Sequence, residues 1–197
     1  MKTVAKVVST LGLLAISTGV FANNNEEVGT QDVYLLGELG SHELEDVSGN
    51  QFGVIFGARN VSANGYFYGG EVEASLYDND ISVSGTVDGL DVSGKIEETY
   101  GYGAYFIPVG IQFDASENSQ VNIYAFAGYS AIRLEATATV ESLRASANET
   151  IDGFKWGAAI NADFSSWIVG LRYSKADLDY DSTEETIAVS FGHKIQL

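Results

Sequence analysis

TIAVSFGHKIQL, residues 186–197, alternates in character. Ile187, Val189, Phe191, Ile195 and Leu197 fall on one side of an extended chain, while Ser190, Gly192, Lys194 and Gln196 fall on the other. Successive side chains of a β-strand point to opposite faces, so this stretch reads as a strand with one apolar and one polar side. His193 falls on the apolar side. The same period of two recurs in seven earlier segments: 32–41, 50–59, 66–77, 100–113, 120–133, 153–162 and 166–174. Each is near or above the ~9–11 residues that a tilted membrane strand needs, and none shows helical periodicity. Twenty-two glycines, one proline and frequent Tyr and Phe suit an all-β chain.

The parity is consistent between segments. Phe52, Val54, Phe56 and Ala58 oppose Gly53, Gly57 and Arg59; Tyr68, Val72, Ala74 and Leu76 oppose Glu71, Glu73 and Ser75. Trp167, Val169, Leu171 and Tyr173 oppose Gly170, Arg172 and Ser174. In a membrane barrel one such set faces lipid and the other fills the interior. The polar side collects Glu38, Arg59, Glu71, Glu73, Lys155, Arg172 and Lys194. These acids and bases nearly balance, as charges packed into a narrow lumen must be paired. On the outside of a soluble sandwich their signs would not need to balance. Segment 120–133 leaves its phase open: with Val121, Ile123, Ala125, Ala127 and Tyr129 toward lipid, Tyr124, Phe126 and Ile132 turn inward. Pro108 removes a ladder hydrogen bond and predicts a local bulge. Tyr66, Tyr68, Phe113 and Trp167 toward the short turns, and Tyr77, Tyr100, Tyr102 and Trp156 toward the long connections, are expected as interfacial girdles.

The connections alternate in length. VSANG (61–65), DASENS (114–119) and DFSS (163–166) are tight, whereas 42–49, 78–99, 134–152 and 175–185 are long and acidic. Short turns at one end and long loops at the other are the asymmetry of an outer-membrane barrel, with the turns periplasmic. The expected fold is an eight-stranded antiparallel up-and-down transmembrane β-barrel. The alternating ISVSGTV and LDVSGKI within 78–99 predict a hairpin that carries its strands beyond the membrane.

MKTVAK followed by VVSTLGLLAISTGVF and Val20-Phe21-Ala22 has the three-part layout of a secretory signal peptide. A leader over 1–22 leaves a barrel domain over 23–197, and loss of Lys2 and Lys6 leaves 8 basic residues against 27 acidic ones. A surface so negative repels phosphate backbones and excludes nucleic-acid binding. The absence of cysteine excludes disulfides and thiolate metal sites.

The ending SFGHKIQL resembles the C-terminal recognition signal of bacterial outer-membrane proteins, with Ser190, Gly192, Ile195 and Leu197 at its defined positions; Leu197 stands where an aromatic residue is commoner. Together with GGEVEASLY, AFAGYSAIR and IVGLRYS, it makes the chain similar to the small eight-stranded outer-membrane barrel family of OmpA-transmembrane-domain, OmpX and opacity-protein type. That resemblance implies a place in the bacterial outer membrane, folding by the outer-membrane assembly machinery, and contact with lipids and lipopolysaccharide. No cofactor is expected.

Catalytic candidates are few. Ser41, His42 and Glu43 are residue types of a nucleophile–base–orienter set, but neighbours on a strand point to opposite faces. YDNDIS (77–82) and DLDYDSTEE (177–185) offer oxygen ligands without EF-hand spacing. The expected role is non-enzymatic: a monomer of structural or surface-interaction type, with a plugged polar lumen and acidic loops that meet lipopolysaccharide, a host or a phage. A passive pore, a lipid-A-modifying enzyme and a soluble lipocalin-like binder are the rival readings.

Overall fold

The computed structural model describes residues 30–87, 90–141 and 143–195. They form eight strands: β1 (Thr30–Leu44), β2 (Val47–Val61), β3 (Tyr66–Val87), β4 (Leu90–Ser116), β5 (Ser119–Val140), β6 (Leu143–Phe164), β7 (Trp167–Leu178) and β8 (Thr183–Ile195). Each pairs antiparallel with its chain neighbours, and β1 pairs with β8 from Val33–Ile195 to Leu44–Glu184. The result is the closed up-and-down barrel expected from the period-two segments. The expected leader over 1–22 and Leu197 lie outside the described residues.

One correction concerns the connections. The stretches 42–49 and 134–152, expected as loops, are mostly strand: Leu44 faces Val47 across a turn at Glu45 and Asp46, and Val140 faces Leu143. Much of 175–185 is strand as well, with a 3-10 turn at Asp179–Asp181. Glu45, Glu141, Ser165 and Gly65 take positive φ, which lets these turns be tight. The asymmetry therefore lies in strand length. β3 to β6 run 22, 27, 22 and 22 residues, against 15, 15, 12 and 13 for β1, β2, β7 and β8. The hairpin expected over 78–99 is present, with Val87 facing Leu90. At ~3.3 Å per residue, the four long strands carry a sheet roughly 30 Å past the rest of the barrel.

An apolar belt surrounds the barrel. Leu39, Phe52, Val54, Phe56, Leu76, Phe106, Ile123, Phe154, Val169, Leu171, Val189 and Phe191 are exposed on its outside. Tyr66, Tyr68, Phe113 and Trp167 border the belt at the short-turn end, and Tyr100 and Trp156 lie exposed toward the other. Tyr77 departs from the expected girdle. It turns inward and packs on His42 with ring centroids 4.4 Å apart. β5 takes the phase that buries Tyr124, Phe126 and Ile132 and exposes Ile123 and Tyr129. Pro108 sits in a register shift between β4 and both neighbours, so its missing N–H falls at a bulge.

Past the belt the wall reverses polarity. In β4, Tyr100 faces Arg133 and Glu98 faces Leu134, so Thr99 is an extra residue, and its hydroxyl donates to the Arg133 carbonyl at 3.1 Å. The bulge turns the even-numbered residues of β4 from outward (Tyr100, Phe106) to inward (Glu98, Ile96). On β3, β5 and β6 the hydrophobic pattern itself changes phase. Ile81, Val83, Ala136, Ala138, Ala145 and Ala147 share the inward side with Ile96, as the register Ile81–Ile96–Ala136–Ala147 records. Asp80, Ser82, Lys95, Glu97, Glu135 and Asn148 take the outward side.

Leu171 lies within the belt between Trp167 and Tyr173. Leu171→Arg is expected to cost about 2–4 kcal/mol in equilibrium urea unfolding from lipid vesicles, with Leu171→Met nearly neutral.

Candidate functional site in the barrel interior

Three clusters of charge occupy the interior, positioned by the inward parity of different strands. At the short-turn end, the buried Arg59 guanidinium donates to Asp32 through Nε and Nη2 at 3.1 and 2.9 Å, and to Asp163 at 2.7 Å. Lys194 Nζ lies 2.7 Å from Asp163 and 3.6 Å from Asp32. Both acids are thus shared between two cations.

In the middle, Arg172 Nη1 donates to Glu71 at 2.7 Å, and the Tyr34 and Tyr124 hydroxyls donate to the other Glu71 oxygen at 2.7 and 2.8 Å. The Arg172 guanidinium lies 3.5 Å from the Phe126 ring centroid, with Tyr105 at 5.5 Å, so ring faces supply part of its neutralisation. Glu38 approaches Arg172 Nε at 4.0 Å. Glycines make this packing fit: a Cβ at Gly57 would run into the Tyr34 ring, one at Gly110 into Phe67, and one at Gly103 into Tyr105.

Toward the extended end, Lys155 Nζ lies 3.0 Å from Glu184 and 4.0 Å from Glu73. Gln51 and Ser75 both donate to Glu73, at 3.0 and 2.7 Å. His42 Nε2 meets Glu98 at 2.6 Å, and Asn79 donates to the same carboxylate at 2.9 Å. Above this cluster Ile132, Ile151, Ala176 and Leu178 close the bore with an apolar layer, against which Leu44, Tyr77 and Leu134 pack.

All seven residues singled out from the parity — Glu38, Arg59, Glu71, Glu73, Lys155, Arg172 and Lys194 — lie on the inner side, Lys194 least deeply. The near balance of charge does not hold, however. Asp32, Glu98, Asp163 and Glu184 also face inward, so seven carboxylates meet four lysines and arginines, with His42 among them. The signals were partly present: the parity of Ile187 and Val189 places Glu184 inward, and that of Glu38 places His42. Asp32 opens segment 32–41 on the parity of Glu38, which already points inward; Asp163 sits in DFSS, which reads as a turn, and Glu98 is hidden by the Thr99 bulge.

Ser41 is exposed and His42 fully buried, on opposite faces of β1. They do not form a catalytic pair. Among the described residues, no group of three His, Asp or Glu has metal-binding geometry. Ser190 is buried in the lumen, and Ile195 faces out. Gly192 sits where a Cβ would collide with the Leu35 carbonyl and Leu36, so glycine permits the close approach of β8 to β1.

Neither a family model nor a curated protein matches the sequence. Among solved structures, the chain is similar to Ail, the attachment invasion locus protein of Yersinia pestis, in complex with the heparin analogue sucrose octasulfate. Identity is 16%, coverage 85% of this chain and 99% of that one, and the TM-score 0.53. The N-terminal β-barrel domain of Pseudomonas aeruginosa OprF is 10% identical over 85% of this chain and 100% of that one, with a TM-score of 0.47. Neisserial surface protein A is 11% identical over 86% and 100%, with a TM-score of 0.42. Identities this low speak to fold alone, and the Ail likeness supports it. The fold is that of the small eight-stranded outer-membrane β-barrels of OmpA, OmpX and opacity type, a class that resides in the bacterial outer membrane.

Arg172→Met leaves Glu71 with two phenols and no cation. A loss of about 3–5 kcal/mol is expected in equilibrium unfolding, and Arg172→Met/Glu71→Gln should recover a large part of it.

Proposed function

We propose that the chain is a non-catalytic outer-membrane barrel whose interior is plugged and whose extended β3–β6 sheet faces outward as a surface-interaction element. The observation that carries this reading is the filled bore. The ion-paired cations Arg59, Arg172 and Lys155, backed by Tyr34, Tyr105, Tyr124 and Phe126, occupy successive levels under the Ile132–Ile151–Leu178 layer. Eight strands enclose little more than the space side chains need, which supports a plug over a pore. The sequestered His42, far from Ser41 in orientation, supports a role without catalysis.

In this reading residues 1–22 are a cleaved leader, the barrel works as a monomer, and the assembly machinery inserts it through a signal that includes Ser190, Gly192, Ile195 and Leu197. Its outward sheet meets lipopolysaccharide, a host surface or a phage. Carboxylates dominate that end, so a polyanion of the kind bound to Ail is disfavoured on charge.

Purified barrel in planar bilayers is expected to give no steady single-channel conductance; reproducible channels would sink the plugged lumen and favour the pore. Intact mass of the membrane-extracted protein should begin at Asn23, and the folded form should shift on gels when boiled. A mass that retains residues 1–22 rules out the cleavage.

A further inference from the structure

The inward side of the projecting sheet is an apolar surface with nothing packed against it among the described residues. Gly94, Ala136, Ala138, Ala145 and Ala147 form a floor of small residues, and Ile81, Val83 and Ile96 stand along one side; with Lys95, Thr137 and Ser146 they bound a groove of about 340 Å³. Toward the tip Leu90 and Val140 extend the surface, with Leu143 77% and Val83 69% exposed. At its base the groove runs into the buried Ile132–Ile151–Leu178 layer. Contiguous exposed apolar surface of this kind marks an interaction site rather than ordinary soluble exterior. The lipid belt does not account for it, since the outward side at this level is polar.

Charge selects the occupant. Tyr180 donates to Glu149 on the inward side at 2.7 Å, which holds the β7–β8 turn, with Asp179 and Asp181, against this face. Glu45 is tied to the same turn by the Thr183 N–H at 2.8 Å. The bases of this end take the outward parity: Arg133, Arg144, Lys175 and Lys95, of which Lys95 borders the groove but is paired with Glu97 and Asp80, and Lys175 is paired with Glu185. An apolar trough overlooked by carboxylates, whose one lining base among the described residues, Lys95, is already held by Glu97 and Asp80, suits a ligand that is apolar on one side and cationic on the other.

We propose that this trough is a docking surface for a cationic amphipathic peptide segment. The inference rests on the outward orientation of the sheet. The apolar side of the peptide lies on the glycine–alanine floor, and its lysines or arginines meet Glu149 and the acidic β7–β8 turn. Dimensions agree: four strands ~4.8 Å apart give a bed roughly 14 Å across, and a helix is ~10–12 Å wide. The small floor residues allow close approach. A second copy of this chain would bring like charge to the same place, lipid A phosphates would do the same, and neutral acyl chains would gain nothing from the carboxylates.

The test uses the folded barrel in zwitterionic lipid nanodiscs and a labelled synthetic Leu/Lys amphipathic peptide, followed by anisotropy. Controls are empty nanodiscs, a Leu/Glu peptide of the same pattern and a scrambled Leu/Lys peptide. Saturable binding above empty discs is expected. It should be weakened about tenfold by Val83→Gln/Leu143→Gln, two exposed positions. Glu149→Gln/Asp181→Asn should weaken it and flatten its salt dependence. Heat-modifiability on gels checks that both variants fold. Equal binding to empty discs or by either control peptide overturns the proposal, as does unchanged affinity in both variants. Self-association, or retention of native lipid, that Val83→Gln/Leu143→Gln abolishes overturns it in favour of those occupants. Protease cleavage of intact cells at a site inserted between Glu45 and Asp46 reads the orientation separately. Cleavage without peptide binding sinks only the docking; no cleavage sinks the outward orientation beneath it.

Discussion

Pairing of β1 with β8 leaves the belt without a free strand edge. Hydrocarbon offers no partner to a backbone N–H or C=O, so a sheet can cross it only when closed in this way. Closure at eight strands then constrains both faces of the wall. The outside must be apolar, and the inside is too narrow to leave open, so large side chains have to interlock there. Glycine appears on the wall where an opposing ring needs the volume, as at Gly57 beneath Tyr34 and Gly110 beneath Phe67. Where β8 closes on β1, Gly192 removes the Cβ that would strike it.

Filling that interior with ions carries a desolvation cost that each cluster offsets locally. Glu71 receives one guanidinium and two phenols, and Arg172 in turn rests on the Phe126 face. Arg59 and Lys194 divide Asp32 and Asp163 between them. Buried ion pairs contribute little net stability compared with well-packed apolar groups, but their partners are specific. A one-residue slip of any strand would carry these charges to the lipid face, so the clusters fix register as firmly as the belt does.

Much of this was legible from alternation alone. Period two in eight segments is enough for the strands, and their shared parity places Glu71, Glu73, Arg59 and Arg172 on one side before any pairing is known. What escaped has physical causes. A bulge adds one residue without a composition signal, so Thr99 conceals the inward turn of Glu98. Two-residue turns built on Glu45 and Glu141 lack the glycine that normally announces them, and acidic strands past the membrane read as loops. Tyr77 reads as an interfacial aromatic from its place near a strand end, although it shares the inward parity of Glu71, Glu73 and Ser75.

The level at which the wall reverses has a consequence for depth. Asn79, Glu98 and His42 lie inside at this height, with Leu76 and Tyr100 just beneath on the exterior and Asp80 and Glu97 just above. Sliding the barrel deeper would bring carboxylates into hydrocarbon, and raising it would bare Leu76 and Tyr100 to water. The molecule carries its own waterline, written as a change of stride in three strands and a single inserted threonine in the fourth.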